Sequence, residues 1–323
     1  MTNKATKPHS FGRGDTNLIL VTGSAGLIGS AIVARLCEHG VAVREFDKVS
    51  HAAQDVRDTA ALHAALEGVT GIVHLAAVSR VAWAERDPEL TEAVNIAPLR
   101  QIAGRLRGMA SRREAPPWLI FASSREVYGE SAELPVREAA ACSPRNVYAR
   151  SKVAGEEIVT SLAREGFVAN ICRFSNVYGS TTDHADRVVP AFARAAALGG
   201  TLRMDGPDCL FDFTHIDDVA RGLHAAVDLA VAGDRFDPVH FVTGNPCSLR
   251  ELADYARRAA RSPVTLSTVA ARTFDVARFY GDPARASELL DWRATITIEQ
   301  GMQRLIAEFA DAASEIGEEA RLA

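Results

Sequence analysis

In Tyr148-Ala149-Arg150-Ser151-Lys152 a phenol and an ammonium stand four residues apart, on one face if the segment is helical. A phenol with its ordinary pKa of about 10 is a poor base at neutral pH. An ammonium beside it stabilises the phenolate and lowers that pKa, which makes the group usable for proton transfer. A hydroxyl at Ser124, in Ser123-Ser124-Arg125-Glu126-Val127-Tyr128-Gly129, can hold the substrate oxygen that exchanges its proton with Tyr148. On most helices a Tyr-x-x-x-Lys pair is one surface ring and one surface charge. The hydroxyl segment, directly after an apolar run ending at Ala122, gives the pair its weight.

A second constellation suits a phosphate. Thr22-Gly23-Ser24-Ala25-Gly26-Leu27-Ile28-Gly29 is G-x-x-G-x-x-G, set between a predicted strand and a predicted helix. Gly23 permits the tight turn, Gly26 lets backbone approach a pyrophosphate, and Gly29 lets the helix pack closely on the strand. The helix start at Leu27 and Ile28 then offers free N–H groups and a positive dipole end. Asp47 closes the second predicted strand, where a carboxylate accepts hydrogen bonds from ribose hydroxyls and repels a 2′-phosphate, favouring NAD over NADP. Asp55-Val56 precedes a helix, so Asp55 either meets an adenine amine or serves as a cap or surface charge. His74-Leu75-Ala76-Ala77 ends a strand, and the alanines beside Leu75 leave room for a flat ligand. Together these residues describe a dinucleotide site.

The elements that must position them follow from pattern. Short apolar runs at 18–22, 41–46, 71–75 and 118–122 alternate with helical segments such as 28–39. That rhythm calls for an α/β fold, a Rossmann-type doubly wound parallel sheet. After Gly179 the rhythm changes: helices are expected at 189–198, 217–231, 248–261, 284–292 and 298–310, and a strand at 238–242. Ser248 stands three residues before Glu251, a capping-box start signal. The division expected is a polar leader at 1–16 and a dinucleotide-binding domain at 17–179, completed by about 214–243. A smaller C-terminal α/β substrate lobe takes 180–213 and 244–310, and a fraying tail takes 311–323.

Composition narrows the class. The chain has 323 residues, 36 Lys+Arg against 41 Asp+Glu, a formal charge of −5 and 47% apolar residues. Mild acidity without a basic run argues against a nucleic-acid partner. No apolar run reaches the ~20 residues of a membrane span, and the polar start lacks a secretory core, so a cytoplasmic protein is expected. Five scattered cysteines show no metal-ligand spacing; reduced thiols and no metal are expected.

The ordered motifs TGSAGLIGS, FD ending at Asp47, QDVRD, HLAA, SSREVYG, YARSK, RFSNVYG and FTHIDDVA resemble the extended short-chain dehydrogenase/reductase family, in its NAD-dependent epimerase/dehydratase branch. Asp282-Pro283-Ala284-Arg285-Ala286 and Leu289-Leu290-Asp291-Trp292 extend the likeness, which runs from about residue 17 to 308. The resemblance implies NAD as cofactor, a lobe that holds a nucleotide-sugar, and a homodimer paired through helices near 95–109 and 148–164. It implies Ser124, Tyr148 and Lys152 as the catalytic triad, with Lys152 also bonding the nicotinamide ribose. Asn176 is the substrate contact it implies, and Ser79, Ser124, Arg125 and Arg187 are further expected substrate contacts. Glu126 sits where dehydratases and decarboxylases of the family carry a catalytic Glu; the bland reading makes it a buried partner of Arg125.

Two positions depart from the family pattern. Arg125 replaces the Asp of dTDP-sugar dehydratases; it cannot act as an acid but could bind a carboxylate, as on a uronic acid. Phe211 replaces an Arg that contacts the nucleotide diphosphate, leaving Arg187, Arg203, Arg272 or Arg278 to compensate. The reading expected is an NAD-dependent epimerase acting on a nucleotide-activated sugar through a transient keto intermediate. A 4,6-dehydratase or decarboxylase is the first alternative, and a dehydrogenase of a sugar or sugar acid without the nucleotide is the second.

Overall fold

Runs such as Leu18-Ile19-Leu20-Val21 have apolar side chains on both faces, so they suit the inside of a covered parallel sheet. In the computed structural model of the chain, residues 17–271 and 276–322 are described, with side chains described to residue 315. The elements of the first part are β1 (Leu18–Thr22), α1 (Leu27–Glu38), β2 (Ala42–Phe46), α2 (Thr59–Ala65), β3 (Gly71–His74), α3 (Val81–Arg86), α4 (Pro88–Asn95), α5 (Ala97–Ser111), β4 (Trp118–Ser124), α6 (Val147–Arg164), β5 (Ala169–Phe174) and β6 (Asn176–Tyr178). One turn of 3-10 helix, Arg125–Tyr128, follows β4. The remainder comprises α7 (Val188–Leu198), β7 (Gly200–Asp205), β8 (Leu210–His215), α8 (Ile216–Val231), β9 (Val239–Phe241), β10 (Pro246–Ser248), α9 (Leu249–Arg258), β11 (Val264–Val269), α10 (Ala284–Leu290) and α11 (Ile298–Leu322).

Six parallel strands form the main sheet in the order β2-β1-β3-β4-β5-β9. Strand alternation sends successive side chains to opposite layers. Ile19, Val21, Val73, Ile120 and Phe241 pack under α1 and α8, while Leu20, Ile72, Leu119, Phe121 and Ile171 pack under α2, α5 and α6. The expected doubly wound parallel sheet is therefore present. Strand order reverses between β1 and β3, and in such sheets ligands bind beyond the carboxyl ends of the strands at that point.

Beyond residue 179 the strands form two small sheets, β10-β8-β6 and β11-β7, around a separate core. Phe192, Leu202, Phe213 and Leu252 meet Met302, Leu305, Ile306 and Phe309 there; the last four lie on one face of α11. The Ser248–Glu251 capping box is formed, with backbone and side-chain bonds in both directions. α11 runs on to Leu322, through the tail expected at 311–323. Alanine and glutamate are strong helix formers, so a tail rich in them prolongs the helix beyond its last core contact. The expected leader at 1–16 lies outside the described residues.

Candidate active site

A cleft of about 1000 Å³ lies over the carboxyl ends of β1, β2, β3 and β4 and continues along the loop before α7. Its first wall is backbone. Gly23 has φ +73°, and a Cβ there would sit 2.7 Å from the Ala76 nitrogen, so the β1–α1 turn accepts only glycine. A Cβ on Gly29 would overlap the Gly23 carbonyl, so α1 can close on the turn only if that position is bare. A Cβ on Gly26 would meet only the Gly23 carbonyl oxygen, at 3.3 Å. Gly26 is the N-cap of α1 and no side chain caps the helix, which leaves first-turn N–H groups free beside Leu27 and Ile28. A bare turn ending in free N–H donors fits a pyrophosphate.

Asp47 lines the cleft and holds its floor: Oδ2 accepts from the Ala25 N–H at 3.2 Å and Oδ1 from the Val49 N–H at 2.8 Å. Asp55 and Val56 also line it, but Asp55 is gripped by Arg57, whose Nε is 3.0 Å from both carboxylate oxygens. That pairing holds its carboxyl below the usual range. Leu75, Ala76, Ala77 and Ser79 continue the lining beyond β3.

The residues expected to do the chemistry stand at the far end of this wall. Asn146 caps α6 by accepting from the Ala149 N–H at 2.8 Å, which starts the helix immediately before Tyr148. Ser124, the last residue of β4, and Tyr148 both line the cleft, and the Ser124 Oγ accepts from the Glu126 N–H at 3.2 Å. Lys152 lies one turn further along α6; its ammonium donates to the Ala122 carbonyl at 2.7 Å and stands 5.7 Å from the Tyr148 ring centre. Burial pushes the Tyr148 phenol up to about 12, against the pull of Ser124, and burial draws the Lys152 ammonium down to about 8. The expected lowering of the Tyr148 pKa is thus reversed in the free protein. Desolvation of a phenol under a tenth exposed outweighs the cations around it.

Three expected contacts lie off the cleft lining. Arg125 and Glu126 are buried and pair with one another, Nη2 to Oε1 at 2.8 Å, and Asn146 Nδ2 donates to Glu126 Oε2 at 3.1 Å. Arg125 also lies over Phe211, 5.3 Å from the ring centre. Asn176 opens β6 in register with Phe213. Of the arginines that could compensate for Phe211, Arg187 lines the cleft, Arg203 pairs with Asp205, Arg278 sits where the chain bridges to Leu210, and Arg272 lies outside the described residues.

The sequence reading passed over the rest of the substrate end. Asp183 and His184 line the cleft beside Arg187; the Asp183 carboxylate is buried, 3.6 Å from Arg187, and burial raises its pKa. Arg80 Nη2 reaches Asp186 at 2.7 Å and Trp83 packs edge-on against His184, so the loop after β3 is tied to the loop before α7. The one sequence signal was the four-residue spacing of Asp183 and Arg187. Among the described residues no group of three or more His, Cys, Asp or Glu could hold a metal ion, and no helix is long and apolar enough to cross a membrane.

Fold and cleft define a Rossmann-type dinucleotide-dependent enzyme. The model of the NAD dependent epimerase/dehydratase family matches residues 19–244. The chain belongs to that family, within the extended short-chain dehydrogenase/reductases, and its cofactor is NAD. It is 29% identical over 314 residues to the UDP-glucose 4-epimerase of Mycolicibacterium smegmatis, covering 90% of this chain and 97% of that protein. Identity to the Streptomyces lividans UDP-glucose 4-epimerase is 26% over 302 residues, covering 84% and 90%. The crystal structure of UDP-glucose 4-epimerase from Brucella ovis in complex with NAD superposes with a TM-score of 0.78 at 26% identity, covering 91% of this chain and 98% of that one.

Proposed function

We propose that the protein is an NAD-dependent epimerase acting on a nucleotide-activated sugar through a transient keto intermediate. The observation that carries this reading is the Ser124–Tyr148–Lys152 set at the junction of one continuous cleft, between the glycine turn and the loop holding Arg187. Gly23, Gly26, Leu27, Ile28, Gly29, Asp47, Asp55, Val56, Leu75, Ala76 and Ala77 would hold NAD, with Lys152 at its nicotinamide ribose. When bound, NAD supplies the site that takes up hydride from the sugar and gives it back.

The chain's own residues handle the proton. Ser124 holds the sugar hydroxyl against Tyr148, and the phenol oxygen takes that proton as the ketone forms. In the free protein the phenol stays protonated at neutral pH, because it sits at about 12. The Lys152 ammonium, 5.7 Å from the Tyr148 ring centre, is the charge that would favour the phenolate once the cleft is filled. When the sugar has turned over and hydride returns to its other face, Tyr148 returns the proton to the new hydroxyl.

The dehydratase and decarboxylase readings need Glu126 as a free catalytic carboxylate. Its two oxygens are taken by Arg125 and Asn146, which favours epimerisation. The nucleotide on the substrate is supported by the UDP-glucose 4-epimerases the chain resembles and by Arg187, a cation in the cleft at the substrate end. A homodimer paired through α5 and α6 belongs to the same reading, and light scattering tests it. Incubation with UDP-glucose, UDP-galactose and UDP-glucuronate, followed by proton NMR, tests the reaction. The expected result is an epimer without accumulation of NADH. Failure of every UDP-, dTDP- and GDP-sugar, with NADH formed from a free sugar acid, would overturn the reading.

A further inference from the structure

Beside the expected reacting pair, α6, β4, the 3-10 turn, β5, β9 and one loop send polar groups into a single buried cluster, of which Ser123 also lines the cleft. Glu156 lies one turn beyond Lys152 on α6, so Tyr148, Lys152 and Glu156 form a stripe along that helix. Its Oε1 accepts from Ser123 Oγ at 2.5 Å and from Arg173 Nε at 2.8 Å, and its Oε2 accepts from Arg173 Nη2 at 2.5 Å. Arg173 Nη1 donates to the Tyr128 hydroxyl at 2.5 Å and to the Glu138 carbonyl at 2.9 Å. The Tyr128 hydroxyl in turn meets His240 Nε2 at 2.5 Å. Ser123, Tyr128, Glu156, Arg173 and His240 are all buried. An ion pair this deep contributes little net stability, yet leaving one partner alone is costly.

We propose that Glu156 is the positioning residue of the reacting pair: its carboxylate ties the end of β4, and with it Ser124, to α6, and presents a fixed negative charge to Lys152. The proposal rests on the reading of Tyr148 and Lys152 as the reacting pair. Ser123 is the neighbour of Ser124, so the Ser123–Glu156 bond sets how far the Ser124 hydroxyl stands from Tyr148. The groups around Lys152 explain why a charge is needed there. From β4 it meets the Phe121 ring, at 5.0 Å, and the Ala122 carbonyl. From β3 it faces His74, a histidine that burial and the Lys152 charge hold down at about 3, hence neutral. On α6 it has Tyr148 and Glu156; Arg173 lies behind Glu156 and offsets part of its charge. Burial draws the ammonium down, and Glu156 is the charge that opposes it.

The chain contains four lysines, Lys4, Lys7, Lys48 and Lys152, so full-length protein labelled with [13Cε]lysine gives four resonances whose pH titration can be followed directly. Lys152→Arg identifies the Lys152 signal. The proposal predicts that Glu156→Gln lowers the Lys152 midpoint by about one pH unit or more, and that Glu156→Asp restores most of it. An unchanged midpoint in folded Glu156→Gln protein would overturn the proposal. If that variant fails to fold because Arg173 is left unpaired, Glu156→Gln with Arg173→Gln removes both charges. A lowered midpoint supports the proposal there and an unchanged one overturns it. Ser123→Ala cuts the tether without touching the charge, so the midpoint should hold while UDP-sugar turnover falls about tenfold. A midpoint shift in Ser123→Ala as large as in Glu156→Gln would make the effect one of packing, and the proposal would fail. These titrations need no substrate, so they stand apart from the turnover of Tyr148→Phe, which tests the functional reading itself.

Discussion

The two ends of the cleft are built on different physics. At the cofactor end the shape is set by backbone: Gly23 in a left-handed turn, Gly29 without room for a Cβ, and α1 starting on Gly26 with no side-chain cap. At the other end the shape is set by side chains in pairs: Asp183 with Arg187, Arg80 with Asp186, and Trp83 with His184. A backbone constraint admits one residue type and keeps its meaning wherever the motif recurs. A side-chain pair can be exchanged for another of equal charge and size, so it lets specificity vary on a constant frame.

Breaking the junction between the two ends should have the largest effect. Tyr148→Phe removes the proposed proton carrier, and turnover of a UDP-sugar should fall about 10²–10⁴-fold with NAD content unchanged. Equal turnover in the variant would remove Tyr148 from the chemistry. Gly29→Ala should follow at the cofactor end, where the new Cβ would overlap the Gly23 carbonyl. The expected loss is about 2 kcal/mol in urea unfolding, together with the bound NAD. Retention of NAD would show that the turn relaxes and that backbone does not govern that end.

Next, one carboxylate and one guanidinium should separate the ends. Asp47→Ala should relax the preference for NAD over NADP by about tenfold, leaving sugar KM alone. Arg187→Ala should raise sugar KM by about tenfold with NAD content unchanged. Measured binding of both cofactors and steady-state kinetics would check the pair, and crossed effects would dissolve the comparison.

The smallest effect is common to the frame. Burial holds His74 and His240 down at about 3, against an ordinary 6.5. Between those values the unfolded chain binds protons that the folded chain refuses. Their contribution to stability is therefore complete above about pH 6.5 and lost as pH falls toward 3. Urea midpoints taken across that range should decline steadily with acid, and a flat profile would contradict the neutral burial of both rings.

The same contrast explains how much the sequence disclosed. The doubly wound sheet, the glycine turn, Asp47 at the end of β2 and the Tyr148–Lys152 pair were all readable, because strand runs, forced glycines and helical spacing are local. Asp183 and His184 were not, since they lie in a loop and gain their place from Arg80 and Trp83, about a hundred residues away. The upward shift of the Tyr148 phenol was also hidden. Spacing places an ammonium near it, but burial, a property of the folded molecule, decides the sign. Glu126 reads as a catalytic carboxylate or as a structural one until Arg125 and Asn146 are seen on its two oxygens.

The central claim is that one cleft holds NAD through a backbone-built turn and recycles it at Tyr148. Denaturing the purified protein without added ligand and quantifying released NAD and NADH by mass spectrometry tests it most directly. The account predicts close to one dinucleotide per chain, unchanged in amount after turnover of a UDP-sugar. An empty cleft, with NADH accumulating in solution as substrate is consumed, would contradict it.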